Sequence, residues 1–276
     1  MAHRVGEGAP HRLALRAVSG LTLSIVTFAA VYFGRPYFNL LIAAGAAALA
    51  WEWVRLCGER VPGFRFAILL LGVLAVVALA SLYGTRWALM LVVLSTAALY
   101  GAEWLAAPAR RGWLAFGALY VGLPACAYIA IAGDPQWGRA TLLWMFFAVA
   151  ATDMAAYFCG RAIGGPKIAP RISPNKTWAG LIGGSAAAMA VGALTAGYWL
   201  ERPVWPLIAL SAALAVVSQA GDFFESLVKR KFGVKDSSAI IPGHGGLFDR
   251  VDGHIAAAAA IAAANWASGS SVLTWR

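Results

Sequence analysis

An all-α polytopic membrane bundle of about nine transmembrane helices, with its N-terminus in the cytoplasm, is the architecture that three observations on this chain predict. Of 276 residues, 61% are hydrophobic and only 12% charged, and the mean hydropathy is +0.72, far from the balance of a soluble domain. The apolar residues gather into runs long enough to cross a hydrocarbon core, which takes about 20 residues per helix. The Lys and Arg residues between those runs fall mostly on one side. A soluble fold would have to bury nearly every helix on all faces, and a domain of this length lacks the interior for that.

The runs lie at 13–33, 38–54, 66–83, 87–106, 113–132, 141–159, 178–200, 204–224 and 254–273. The first follows His3, Arg4, Arg12 and Arg16 and carries no small-residue cleavage site after a short core, so it reads as an uncleaved span. Trp51, Trp53, Trp87, Trp104, Trp113, Trp178 and Trp199 stand at run ends, where an interfacial aromatic belt belongs. Asn265 and the stretch from Ser268 to Ser271 dilute the ninth run. With the N-terminus inside, 17 Lys and Arg residues face the cytoplasm and 5 the other side, an asymmetry that sets the orientation. Residues 1–140 then form an N-terminal set of spans, and 141–276 a second region carrying two polar cytoplasmic loops, 161–177 and 226–252. No internal repeat is visible.

The net charge of +10 is scattered between apolar runs and forms no basic arm or stripe, which argues against nucleic acid. Cys57, Cys126 and Cys159 have neither zinc-site spacing nor an even count and read as packing residues.

The chemistry must lie where charge enters the membrane. Asp153 is about 12 residues into the sixth run, ~18 Å along a helix, and intramembrane carboxylates are costly and commonly functional; a structural bond to a neighbouring helix is the competing reading. Asp222 and Glu225 close the eighth run at i, i+3, on one face, with Lys229 four residues beyond Glu225. An interfacial ion pair accounts for Glu225 and Lys229 but leaves Asp222 without a partner. The loop from Ser226 to Asp252 mixes cations, glycines and carboxylates. Asp249 and Asp252 are hard oxygen ligands suited to Mg²⁺, Gly243, Gly245 and Gly246 suit a backbone anion nest, and Lys229, Arg230, Lys235 and Arg250 can balance a polyphosphate. Singly, each signal has a plainer reading: topology marker, turn, or a His244 that caps a glycine turn. The loop 161–177 adds Arg161, Lys167, Ser173, Asn175, Lys176, Thr177 and Trp178; Ser173 and Thr177 equally fit helix caps, and Lys176 is the strongest candidate ligand.

At these residues the chain resembles the phosphatidate cytidylyltransferase family. Ser226-x-apolar-Lys229-Arg230, then Lys235-Asp236, then Pro242-x-His244-Gly245-Gly246-apolar-x-Asp249-Arg250-apolar-Asp252 matches that family's signature throughout. Similarity extends to Asp153 with Tyr157 to Arg161, Ser173 to Trp178 and Gln219 to Asp222, so it covers about 150–253. The resemblance implies a membrane enzyme of the bacterial plasma membrane, its site facing the cytoplasm, that takes CTP and phosphatidate, requires Mg²⁺ with room for a second, monovalent cation, and forms a homodimer. It implies metal binding by Asp222, Asp249 and Asp252. It further implies catalytic roles for those three with Lys229, Arg230, Lys235, Asp236, His244 and Arg250, and substrate binding by Asp153, Arg161, Ser173, Asn175, Lys176, Ser226, Gly245 and Gly246. Three rivals remain: a transporter, which should show paired broken-helix halves, another CTP-linked lipid enzyme, and a nonenzymatic scaffold.

Overall fold

A computed structural model describes residues 9–58, 63–106, 112–243 and 245–275. Its helices are α1 (Ala9–Phe33), α2 (Tyr37–Leu56), α3 (Phe64–Leu82), α4 (Thr85–Ala106), α5 (Trp113–Ala132), α6 (Gly138–Ala162), α7 (Trp178–Leu194), α8 (Val204–Lys231) and α9 (Phe248–Ser268). Among the described residues, α1 to α8 are each long and apolar enough to span a bilayer. The protein is a polytopic helical membrane protein, as its composition requires.

Three of the boundaries that differ from the sequence reading belong to α8 and α9. Helix α8 continues past 224 to Lys231, because leaving the apolar core does not end a helix whose last turn carries Lys229, Arg230 and Lys231, cations that favour the negative C-terminal end of the helix dipole. Helix α9 starts at 248, not 254, so Asp249 and Asp252 stand on its first turns and not in a loop. It stops at Gly269, whose φ of +66° ends it in the left-handed region, and Asn265 Oδ1 accepts Val272 N–H (2.8 Å) just beyond. The residues that dilute the ninth run are thus a helix terminus. The polar segment after α6, read as a loop, contains a short antiparallel hairpin, β1 (Lys167–Ala169) and β2 (Ser173–Thr177), with Lys167 opposite Thr177.

Helix α5 is the most enclosed of the spans and α1 the least. One apolar core joins α2, α3, α4 and α5 and takes in Val228, Phe248 and Ile255 from α8 and α9. A second joins α5 to α9 around Trp144, Met145, Leu214 and Ile261, with Ala30 and Val31 of α1 and Phe38 of α2. Helices α6 and α7 form the closest pair. The buried residues of α7 are Gly180, Gly184, Ala188 and Gly192, one every fourth position. A Cβ on Gly180 or Gly184 would stand 2.8 Å from the carbonyl oxygen of Ala156 or Thr152 on α6. This is the small-residue seam by which membrane helices approach closely, since lipid supplies no hydrophobic drive to bring them together. Cys159 fills the same seam opposite Gly183, and Cys57 and Cys126 are buried.

Candidate active site

The site forms where α8, α9 and the hairpin meet. Two glycines bring α8 and α9 together: a Cβ on Gly221 would lie 2.7 Å from Asp252 O and from Ala256 Cβ, and one on Gly253 would lie 3.2 Å from Ser218 O. Asp222 follows one of these contacts and Asp252 precedes the other, so the close approach sets the two carboxylates side by side. Ligand oxygens of Asp222, Glu225 and Asp252 lie within 4.8 Å of one another. Asp222 and Glu225 share a face of α8, as their i, i+3 spacing predicts.

Cations enclose the acids. Lys176, on β2, places Nζ 2.5 Å from Asp222 Oδ2 and 4.3 Å from the centre of the Phe223 ring, which supplies the partner that Asp222 lacked in sequence. Thr177 Oγ1 accepts Gly180 N–H (3.1 Å) and caps α7, so Lys176 is fixed at the mouth of the α6–α7 pair. Lys229 Nζ lies 2.6 Å from both Glu225 Oε2 and Asp249 Oδ1. Deeper in the bundle, Gln219 Nε2 donates to Asp153 Oδ1 (3.3 Å), the inter-helix bond of the structural reading; Asp153 also lies within electrostatic reach of Asp222, Lys176 and Arg250.

Asp249 is turned differently from Asp222 and Asp252. While its Oδ1 takes Lys229, its Oδ2 accepts Gly246 N–H (2.8 Å), Ser237 N–H (3.1 Å) and Ser237 Oγ–H (3.1 Å). Burial would raise its carboxyl, but the Lys229 and Gly246 hydrogen bonds outweigh that and hold it below the ordinary carboxylate range. Gly245 N–H goes to Ile241 O (3.2 Å). The backbone donors of Gly245 and Gly246 are therefore directed into the fold and not toward an outside anion, unlike the nest that their spacing suggested.

The other sequence candidates are more open. Ser226 Oγ–H donates to Asp222 Oδ1 (3.5 Å), Arg161 Nη1 donates to Tyr157 Oη (3.2 Å), and Arg230 Nη1 donates to Val234 O (3.3 Å). Ser173 is half-buried at the start of β2, while Asn175, Lys235, Asp236 and Arg250 are exposed. His244 lies outside the described residues.

Two contributors escaped the sequence reading. Tyr120 on α5 buries its hydroxyl near Asp252, Glu225 and Asp222, without a hydrogen-bond partner among the described residues; it is embedded among Trp53, Phe116, Phe224 and Phe248, and an aromatic in an apolar run gives no local signal. Glu52 on α2 is fully buried and reaches the same loop as Asp249. An acid inside an apolar run is a signal, masked here by flanking Trp51 and Trp53.

The site fits a hard divalent cation such as Mg²⁺. Its donors are carboxylate oxygens, and Glu225 Oε1 is buried with no hydrogen-bond partner among the described residues, which an ion at the convergence would satisfy.

A bundle of spanning helices with clustered carboxylates and cations at one end defines a membrane enzyme handling anionic substrates. The chain belongs to the cytidylyltransferase family, whose profile matches residues 14–267, and it is a nucleotidyltransferase. It is 39% identical over 252 residues to the phosphatidate cytidylyltransferase of Brucella suis biovar 1 (strain 1330), covering 90% of this chain and 91% of that one. The Pseudomonas aeruginosa protein of that name is 36% identical over 241 residues (84% and 89%), and the Bacillus subtilis one 30% over 247 residues (86% and 91%).

Proposed function

We propose that this protein transfers CMP from CTP to phosphatidate, giving CDP-diacylglycerol and pyrophosphate. The observation that carries this reading is the convergence of Asp222, Glu225 and Asp252 beside Lys176 and Lys229 at one end of a membrane bundle. Such a site can hold a triphosphate where a lipid phosphate also reaches. The names of the relatives support the choice of substrates.

In the reaction, a phosphatidate oxygen bonds to the α-phosphorus of CTP, the bond from that phosphorus to the bridging oxygen breaks, and pyrophosphate leaves with the electron pair. The nucleophile is already an anion, so no general base is needed; alignment and charge balance remain. Lys176, Lys229 and Arg250 supply positive charge at the polyanion. Asp222, Glu225 and Asp252, with Asp249 one turn earlier, would hold Mg²⁺, which supplies the triphosphate's main counter-charge when bound. The reading places residues 141–276 as the catalytic region and turns the site to the cytoplasm of a bacterial inner membrane. It includes Asp153, Arg161, Ser173, Asn175 and Ser226 as substrate contacts, and Arg230, Lys235, Asp236 and His244 as catalytic groups. A homodimer, implied by the family signature, completes it.

The test is purified protein in detergent with labelled CTP. Phosphatidate should yield a labelled lipid and one pyrophosphate per turnover, diacylglycerol should yield none, and CDP-diacylglycerol with pyrophosphate should regenerate CTP. Chelation of divalent metal should stop both directions. Equal labelling with diacylglycerol, or none with phosphatidate, contradicts the proposal.

A further inference from the structure

Asp249 and Asp252 of the site stand on α9, and what holds the start of α9 lies far away in sequence. Glu52, in the last turns of α2, is fully buried. Its Oε1 accepts N–H of Leu247 (2.8 Å), the residue that caps α9, and its Oε2 accepts N–H of Phe248 (2.8 Å), the first residue of α9. Ser237 Oγ donates to Oε2 (3.3 Å) and Ser238 Oγ to Oε1. The first amides of a helix have no partner within it, and a carboxylate there also meets the positive end of the helix dipole. One side chain thus ties the middle of the 232–247 segment, at Ser237 and Ser238, and its close, at Leu247, to α2.

The neighbouring geometry was built around this carboxylate. A Cβ on Gly246 would stand 2.6 Å from Glu52 Oε1 and would overlap Ser237 Oγ, so the glycine leaves room for the pair. Ser237 Oγ is within hydrogen-bond distance of both Glu52 and Asp249, and Asp249 holds Lys229, which holds Glu225. A continuous chain of contacts runs from α2 to the converged acids.

We propose that Glu52 is a positioning residue for the transfer site: it fixes the first turn of α9 and the segment before it, and so sets Asp249, Arg250 and Asp252 against α8. The proposal rests on the transferase reading for its kinetic consequence, not for its structural one. Displacing groups that orient metal ligands costs about 10–100-fold in activity or metal affinity. Glu52→Gln keeps the size but turns an amide N–H₂ toward one of the two backbone donors.

The experiment compares wild type and Glu52→Gln by hydrogen exchange with mass spectrometry, thermal unfolding, and turnover against Mg²⁺ concentration. Expected are faster exchange confined to peptides within 236–252, a kcat lower by about 10–100-fold, a higher half-saturating Mg²⁺, and an unfolding temperature close to wild type. Glu52→Asp should recover part of the turnover, which a purely structural role would not require. Ser238→Ala removes one donor, leaves the carboxylate, and should give the same pattern in smaller size. Unchanged exchange and kcat in Glu52→Gln overturns the proposal, as does exchange that rises throughout the protein, or global unfolding in both variants. If wild type transfers no CMP to phosphatidate, the substrate reading fails, while the exchange arm still decides the role of Glu52.

Discussion

At the scale of single residues, the site is a set of ion pairs that substrates must share. Lys176 neutralises Asp222, so it serves an incoming anion only by loosening its hold on the acid that would face a cation. Lys176→Gln should therefore raise the KM for CTP and lower the half-saturating Mg²⁺, opposite signs from one substitution; kinetics with each ligand varied in turn check this, and a rise in both would contradict it. Asp249 yields a pH prediction. Its carboxyl is held below the ordinary value of about 3.9, so its contribution to stability is complete above that value and is lost as pH falls through the lower, folded value. Thermal unfolding in detergent should show a loss below about pH 4 that is smaller in Asp249→Asn. Identical profiles would rule out Asp249 as a source of that loss. Legibility at this scale was uneven. Asp222, Glu225 and Lys229 were readable because helical spacing alone puts them on one face. The partner of Asp222 was not, since Lys176 arrives from a hairpin 46 positions earlier.

Among elements, close approach through small residues decides where the functional groups stand. Gly221→Ala puts a methyl 2.7 Å from Asp252 O, and the parting of α8 and α9 should separate Asp222 from Asp252. Overpacking of this kind costs about 1–3 kcal/mol. Turnover should fall by more than the loss of folded protein accounts for. Gly45→Ala in α2 is the control: its Cβ meets nothing within 4 Å, and replacing a mid-helix glycine should leave stability equal or raise it by about 0.5–1 kcal/mol. Equal behaviour of the two variants, measured by unfolding and kcat, would refute the seam argument. Hydropathy located the spans well, because burial in lipid is a property of composition. It missed the ends of α8 and α9, because helices end by capping and backbone conformation, not by polarity. Glu103 illustrates this: its carboxylate accepts Gly112, Leu114 and Ala115 N–H (3.0, 2.9 and 3.2 Å) at the start of α5, a cap formed across a connection that no local pattern announces.

For the whole molecule, we propose from the distribution of Lys and Arg that the hairpin and the 232–247 segment face the same side, the cytoplasm. Single cysteines in a background lacking Cys57, Cys126 and Cys159 can report it. Arg171 and Ala239 are exposed and suit the purpose, whereas Ser237 is buried against Asp249 and would disturb the site. Both reporters should react with an impermeant thiol reagent only after the cytoplasmic face is opened, and labelling in intact cells would reverse the orientation. Helix α8 also ties the site to the thickness of its bilayer. Its 28 residues run about 42 Å at 1.5 Å per residue, against ~30 Å of hydrocarbon. Asp222 lies 18 positions after Val204, about 27 Å along that axis, close to the full thickness of the hydrocarbon. A thicker bilayer would draw the plane of lipid phosphates away from the acids, and a thinner one would tilt α8. Turnover in vesicles of graded acyl length, at fixed substrate, should pass through a maximum, while a flat profile would show that the site travels with the lipid surface.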